Sequence, residues 1–178
     1  GCQALSPCGS CLKPPAGPAR PFRMSKSMKR VRAALEAAGL DPQIRETELA
    51  RTAADAAGAI GCAVDQIAKS IIFRGADSGA AILFLTAGGN MVDADKAARV
   101  AGEPLGKADA ALVRAQTGFA IGGVAPVGHL NPIRAFLDPR LQDFDTIWAA
   151  AGTPHHVFPI SPADLLRLSE AQVADFIQ

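Results

Sequence analysis

The sequence predicts one α/β domain of the mixed α+β kind, with helices arranged around a mixed sheet. Three observations carry that expectation. The chain has 178 residues, a length that favours one domain with enough buried surface for a core. Segments of helical and strand period interleave irregularly along it. Two strand-like runs, Ile67–Phe73 and Ala81–Thr86, flank the turn Gly75-Ala76-Asp77-Ser78-Gly79 and read as a hairpin. The hairpin argues against a doubly wound parallel sheet.

The elements follow in order. Residues 1–23 hold five of the thirteen prolines, three of the four cysteines and no periodic apolar pattern. They read as an upstream extension, disordered or foreign to the domain, which then spans 24–178. Met24 followed by Ser25-Lys26-Ser27 looks like a natural start with a helix cap. Met28, Val31, Ala34, Leu35 and Ala38 recur at helical spacing, and Gly39 stops that helix. Gln43–Thr47 reads as a short strand and Leu49–Ala57 as an alanine-rich helix broken at Gly61 and Cys62. After the hairpin, Asp93 caps a helix ending at Gly102, and Asp109–Gln116 forms another stopped by Gly118. Phe119–Ile121, Ile133–Leu137, Thr146–Ala150 and Val157–Ile160 read as strands. Ser161-Pro162 starts a helix, and Ser169 caps a final one.

Charge and cysteine placement bound the function. The first 40 residues carry seven Lys/Arg against one Glu, whereas the remainder carries 11 against 16 Asp/Glu. An acidic body is a poor match for long duplex DNA, which is gripped through many phosphate contacts. It still permits one or two cations to hold a short nucleic-acid end. Cys8-Gly-Ser-Cys11 has no second CxxC or histidine pair to complete a zinc site. No apolar run is long enough to span a membrane, and no secretory signal is evident. A reducing cytoplasm is the expected setting.

Two features stand out as chemistry. Gly122-Gly123-Val124-Ala125-Pro126-Val127-Gly128-His129 packs three glycines and a proline into one loop. Glycine admits close backbone approach and proline fixes φ, so such a loop can present several N–H groups to a phosphate, a carboxylate or an ester carbonyl. Lys69 shares a strand face with Ile67, Ile71 and Phe73 by alternation. A lysine there either snorkels at a strand end or binds an anion. His129 either touches ligand or only fastens the loop.

The remaining candidates are weaker. His155 and His156 point to opposite faces of an extended segment, so no metal site is expected. No Gly-x-Ser-x-Gly elbow is present, and Cys62 lacks a basic neighbour in sequence. Gly102-x-x-x-Gly106-Lys107 lacks the spacing and the hydroxyl residue of a phosphate loop. An enzyme built from these residues would position a reactive substrate and form no covalent protein intermediate.

Taken together, Thr117-Gly118-Phe119-Ala120-Ile121-Gly122-Gly123-Val124-Ala125-Pro126-Val127-Gly128 closely resembles the Gly-x-x-x-Pro loop of the YbaK/prolyl-tRNA-synthetase-associated (ProX-like) editing family. Lys69 falls where that family has its important lysine. Asn90-Met91-Val92-Asp93 with Lys96-Ala97-Ala98, Phe144-Asp145-Thr146-Ile147-Trp148 and Ile160-Ser161-Pro162-Ala163-Asp164-Leu165 match its later segments in order, over about residues 24–178.

The resemblance implies a compact YbaK-like domain with a partly barrelled sheet surrounded by helices. It implies trans-editing without metal or other cofactor: hydrolysis of mischarged aminoacyl-tRNA, most often tRNA for proline, at its 3′ acceptor end. Prolyl-tRNA synthetase is an implied partner; DNA and membrane are not. By carry-over, Lys69, Gly122 and Gly123 are the catalytic candidates. Val124, Ala125, Pro126, Gly128, His129, Asn90 and Ala150 are the substrate-binding ones.

In this reading Lys69 holds a phosphate near the tRNA end, and N–H groups of Gly123 to Ala125 stabilise the oxyanion. A small pocket of Ala and Gly would admit alanine or 2-aminobutyrate, or cysteine or serine, and reject proline. Some relatives carry a Ser or Thr where this chain reads Ala149-Ala150-Ala151, so a pocket hydroxyl is missing or comes from elsewhere. A non-catalytic module binding an aminoacyl or nucleotide group in the same pocket is the alternative.

Overall fold

The computed structural model describes residues 25–48 and 52–178. The expected extension over 1–23, its CxxC pair, and Leu49 at the start of the expected second helix lie outside them. Among the described residues are five α-helices and one eight-stranded mixed sheet that does not close on itself.

The sheet runs β1(Arg45–Glu46), β7(His156–Ile160), β6(Ile147–Ala150), β2(Ile67–Gly75), β3(Ala81–Ala87), β5(Arg134–Leu137) and β8(Gln172–Val173), with β4(Leu105–Lys107) paired to β2 off this path. β2 and β3 form the expected antiparallel hairpin, with Lys69 opposite Thr86. β6 joins β2 in parallel at Ile67 and Ala68, while β4 pairs antiparallel with β2 only at Phe73 to Gly75. Along that edge of β2 the two neighbours therefore leave Lys69 to Ile72 between them.

Every residue of β3 is buried, and strand alternation sorts them onto two cores. Leu83, Leu85 and Ala87 join Val31, Phe119, Leu137, Ile147, Phe158 and Leu165 on one face. Ile82 and Phe84 join Ala97, Ala101, Phe136 and Phe176 on the other. Phe84 anchors the second face: Phe73 and Phe176 meet it edge-on at 5.6 and 4.9 Å, and Phe136 stacks at 5.4 Å. A third, smaller cluster of Ala56, Ala57 and Ile67 packs with Trp148 beneath the later site.

The helices begin and end where local chemistry dictates. α1(Lys26–Ala37) is capped by the Ser25 hydroxyl, which accepts from the Met28 N–H at 3.1 Å. α2(Ala53–Ile60) starts at Thr52, later than the sequence pattern indicates, and ends at Gly61, where that pattern breaks it. α3(Ala94–Ala101) and α4(Ala110–Thr117) start at Asp93 and Asp109 and end at left-handed Gly102 and Gly118. α5(Pro162–Ser169) starts at Ser161.

Two expectations fail. Phe119–Ile121 is no strand: the Gly123 N–H closes a turn onto the Ala120 carbonyl at 3.1 Å, and Phe119 is a buried plug. Three residues between glycines have no strand beside them to pair with. Ser169 starts no final helix; its hydroxyl donates to the Leu165 carbonyl at 2.6 Å inside α5. Glu170 then turns left-handed, β8 pairs with β5, and Phe176 fills the second core face. Neither β4 nor β8 is evident from sequence, since each is short and exists only through its neighbour.

Replacing the Phe84 ring is the sharpest test of this packing. Phe84→Ala should lower unfolding free energy in urea by ~3–5 kcal/mol; a loss under 1 kcal/mol would show that the aromatic cluster does not hold the second core face.

Candidate active site

A cavity of about 570 Å³ lies beside the bare edge of β2. Ile67 to Ile71 form one wall, Trp148 to Ala150 of β6 another, and the start of α2 (Thr52, Ala53, Ala54, Ala56) a third. Gly88 from the turn after β3, and Gly122 and Val124 from the glycine loop, complete it with Thr153, Pro154, His156 and Val157.

Lys69 reaches this cavity from β2. Its Nζ donates to the Asn90 carbonyl at 2.7 Å. Burial lowers its pKa from the ordinary lysine value, while the nearby Asp138 and Asp65 carboxylates favour the charged form. Both carboxylates also fix the turn that supplies Asn90. Asp138 is only 2% exposed and accepts from the Ala87 N–H at 3.1 Å, Asn90 Nδ2 at 2.9 Å and the Arg140 N–H at 2.9 Å. Asp65 accepts from the Gly89 N–H at 2.9 Å and pairs with Arg140 at 3.1 Å. Asn90 thus acts on the site through its backbone oxygen; its side chain faces Asp138 and does not line the cavity.

The glycine loop contributes backbone. Gly122, at φ +93°, and Val124 line the cavity. Gly123 is buried, and a Cβ there would sit 2.9 Å from the Thr153 backbone, so only glycine lets the loop close against that segment. Its N–H is used by Ala120. No hydrogen bond joins the Gly122 or Val124 N–H to another described residue, and both residues line the cavity. Ala125 and Val127 are buried in the first core, and Pro126 is buried between them.

His129 and Gly128 sit behind the loop. The His129 Nε2 hydrogen-bonds the Ala125 carbonyl at 2.7 Å, and its ring meets Phe119 edge-on at 5.9 Å. Because a carbonyl only accepts, Nε2 carries the proton. Burial, aided by the Arg30 charge, depresses the His129 pKa against the raising effect of that hydrogen bond.

Two side chains of the cavity were not singled out from sequence as binders. Thr153 Oγ1 accepts from the His155 N–H at 3.2 Å and shares a 2.6 Å hydrogen bond with His156 Nδ1. A hydroxyl is therefore present beside Ala149 and Ala150, supplied by the turn after β6. The strand pattern hid it, because Thr153 lies outside β6 and reaches the cavity only through the β6–β7 turn. His156 titrates below the ordinary histidine value, chiefly through burial, against the pull of Glu46. Cys62 is half-buried against the third cluster, with its thiol pKa pushed up by burial, which disfavours thiolate. Among the described residues no group of His, Cys, Asp or Glu is placed to hold a metal. No helix among them is long and apolar enough to cross a membrane.

A mixed sheet that brings Lys69 and a glycine-rich loop to one concave site defines this α/β domain. Residues 47–168 match the model of the aminoacyl-tRNA editing domain, and the chain belongs to that family. It is 33% identical over 122 residues to uncharacterized protein YwhH of Bacillus subtilis (strain 168), covering 68% of this chain and 77% of that protein. Among solved structures it is 46% identical to one described as "a putative trans-editing enzyme for prolyl tRNA synthetase", with a TM-score of 0.81 over 88% of this chain and 99% of that one. The hypothetical protein APE2540 is 26% identical, with a TM-score of 0.76 over 84% of this chain and 99% of that one. The YbaK-like fold follows from these likenesses.

Two outcomes test the site's electrostatics. Asp138→Ala leaves up to three buried or half-buried donors unpaired, at ~1–3 kcal/mol each. Its urea midpoint should fall clearly, and an unchanged midpoint would remove Asp138 as the organiser of the Asn90 turn. For His129, the folded pKa lies below the unfolded value near 6.5. Above that pH both states are neutral; below it the unfolded chain takes up the proton first, so stability falls as pH drops towards the folded pKa. Urea unfolding between pH 7 and 5 should show a steeper loss in the wild-type protein than in His129→Gln. Equal slopes would mean the imidazole is not held neutral.

Proposed function

We propose that this protein is a free-standing deacylase that hydrolyses mischarged aminoacyl-tRNA, with tRNA for proline as the preferred carrier. The observation that carries the reading is that Lys69, Gly122 and Val124 of the glycine loop, and the hydrogen-bonded Thr153–His156 pair line one cavity. Membership of the editing family and likeness to the structure described as a trans-editing enzyme for prolyl tRNA synthetase support it.

The cavity is larger than a small side chain requires. Its size suits an aminoacyl group together with the ribose that bears it. The Lys69 ammonium, steered by Asn90, holds a phosphate of the 3′ acceptor end as a point charge. Amides of the glycine loop face the ester carbonyl and stabilise the oxyanion; one such donor is worth ~3 kcal/mol. Water attacks the carbonyl carbon and the bond to the ribose oxygen breaks. That oxygen takes a proton, giving free amino acid and uncharged tRNA. A ribose hydroxyl orients the water, so no side-chain nucleophile is needed.

Selectivity arises from the wall of small residues at Ala68, Ala149 and Ala150. Alanine, 2-aminobutyrate, serine and cysteine fit beside these, while a ring is overpacked at a cost of ~1–3 kcal/mol. The Thr153 hydroxyl and His156 add polar contacts that favour serine among the small candidates.

A panel of aminoacyl-tRNAs, with loss of the ester measured over time, tests the proposal. Small residues on tRNA for proline should be released while prolyl-tRNA survives. Lys69→Ala should lower that rate at least ~100-fold, on the scale expected for a lost positioning charge, with the fold retained by circular dichroism. Stable binding of charged tRNA without ester loss would replace the deacylase by a recognition module. Near wild-type turnover in Lys69→Ala would remove the lysine from the mechanism.

A further inference from the structure

We infer that helix α1, which lies outside the matched editing segment 47–168, braces the glycine loop from behind and that Arg30 is its positioning residue. The effect on turnover rests on the deacylase reading; the brace itself does not.

Helix α1 is built into the core on the loop's side. Val31 and Leu35 are buried in the same cluster as Val124, Ala125 and Val127. Its backbone comes within contact distance of two loops, each at a glycine with positive φ. A Cβ on Gly128 would lie 3.0 Å from the Arg30 carbonyl oxygen, and one on Gly152 2.9 Å from the Ser27 carbonyl carbon. These approaches leave no room for side chains, so α1 and both loops share one rigid spacing.

Arg30 extends this contact to the entry of the glycine loop. Its Nη2 donates to the Gly118 carbonyl at 2.7 Å, at the residue where α4 ends and the loop begins. A Cβ on Gly118 would overlap the guanidinium. The guanidinium lies 4.9 Å from the centre of the buried Phe119 ring, which meets His129 edge-on, and His129 holds the Ala125 carbonyl. A continuous path of contacts thus joins α1 to the residue after Val124. Arg30 does not line the cavity, so it acts on substrate only through the loop.

The guanidinium is held there against a cost. Its Nε is buried with no acceptor among the described residues, a penalty that an apolar side chain of similar length would avoid. What an apolar side chain lacks is the bond to Gly118 and the charge over Phe119, the two contacts that fix the loop's entry.

Arg30→Met tests this through amide hydrogen exchange of the free protein, with steady-state deacylation as a second readout. The hydrogen-bonded amides of Phe119 and Gly123 should exchange at least ~10-fold faster, while those of Ala81–Ala87 keep the wild-type rate. kcat should fall ~10-fold with KM little changed, because binding charge is intact and only donor placement is lost. Arg30→Lys keeps the charge and most of the length, which protects folding, and should shift both readouts in the same direction by less. Loop exchange at the wild-type rate, or acceleration shared equally by Ala81–Ala87, overturns the brace. A loosened loop with unchanged kcat and KM overturns the positioning role. If the wild-type protein releases no amino acid, the deacylase reading fails, and exchange alone decides the brace.

Discussion

Asp138 sits at the joint on which the site depends. A carboxylate with almost no solvent must be fully hydrogen-bonded to be tolerated, and this one is, by groups from three directions. Those bonds tie the end of β3 to the turn at Asn90 and to the 3₁₀ turn that follows β5. Once Asn90 is fixed, its carbonyl stands 2.7 Å from Lys69 Nζ and sets where the ammonium can be. Asp65 repeats the device at Gly89. Two negative charges thus shape the turn and also favour the charged lysine.

The opposite wall is built from backbone. Gly123 and Thr153 pack at a distance no side chain permits, which draws the glycine loop against the β6–β7 turn. Lys69 lines the cavity from β2, and the glycine loop and Thr153 line it beside the small residues Ala149 and Ala150. Cys62, with its thiol pKa raised by burial, packs against the third cluster and is not among the residues lining the cavity.

Some of the site was legible in the sequence because its signals are local. Alternation alone put Lys69 on the face with Ile71 and Phe73, and the glycine and proline spacing marked the loop. Asn90, a binding candidate from sequence, meets Lys69 through its carbonyl while its side chain turns to Asp138. Asp138 itself was invisible: an Asp before a proline reads as a turn residue, and only long-range partners reveal its burial. The Thr153–His156 pair is hidden for the same reason, since a hydroxyl three residues past a strand has no periodicity to report it.

Local physics in the chain determined the helix caps, the β2–β3 hairpin, the two faces of β3 and the presence of a special loop. Each rests on neighbours a few residues apart, where spacing and side-chain chemistry are read directly. Tertiary structure decided the rest. It made a turn of Phe119–Ile121, it drew residues 172 and 173 into the sheet in place of a helix, and it gave the Gly123 N–H to Ala120. Those outcomes depend on which distant backbone groups stand ready to pair. A buried N–H or carbonyl takes the partner that the assembled fold provides, and no local pattern names that partner in advance.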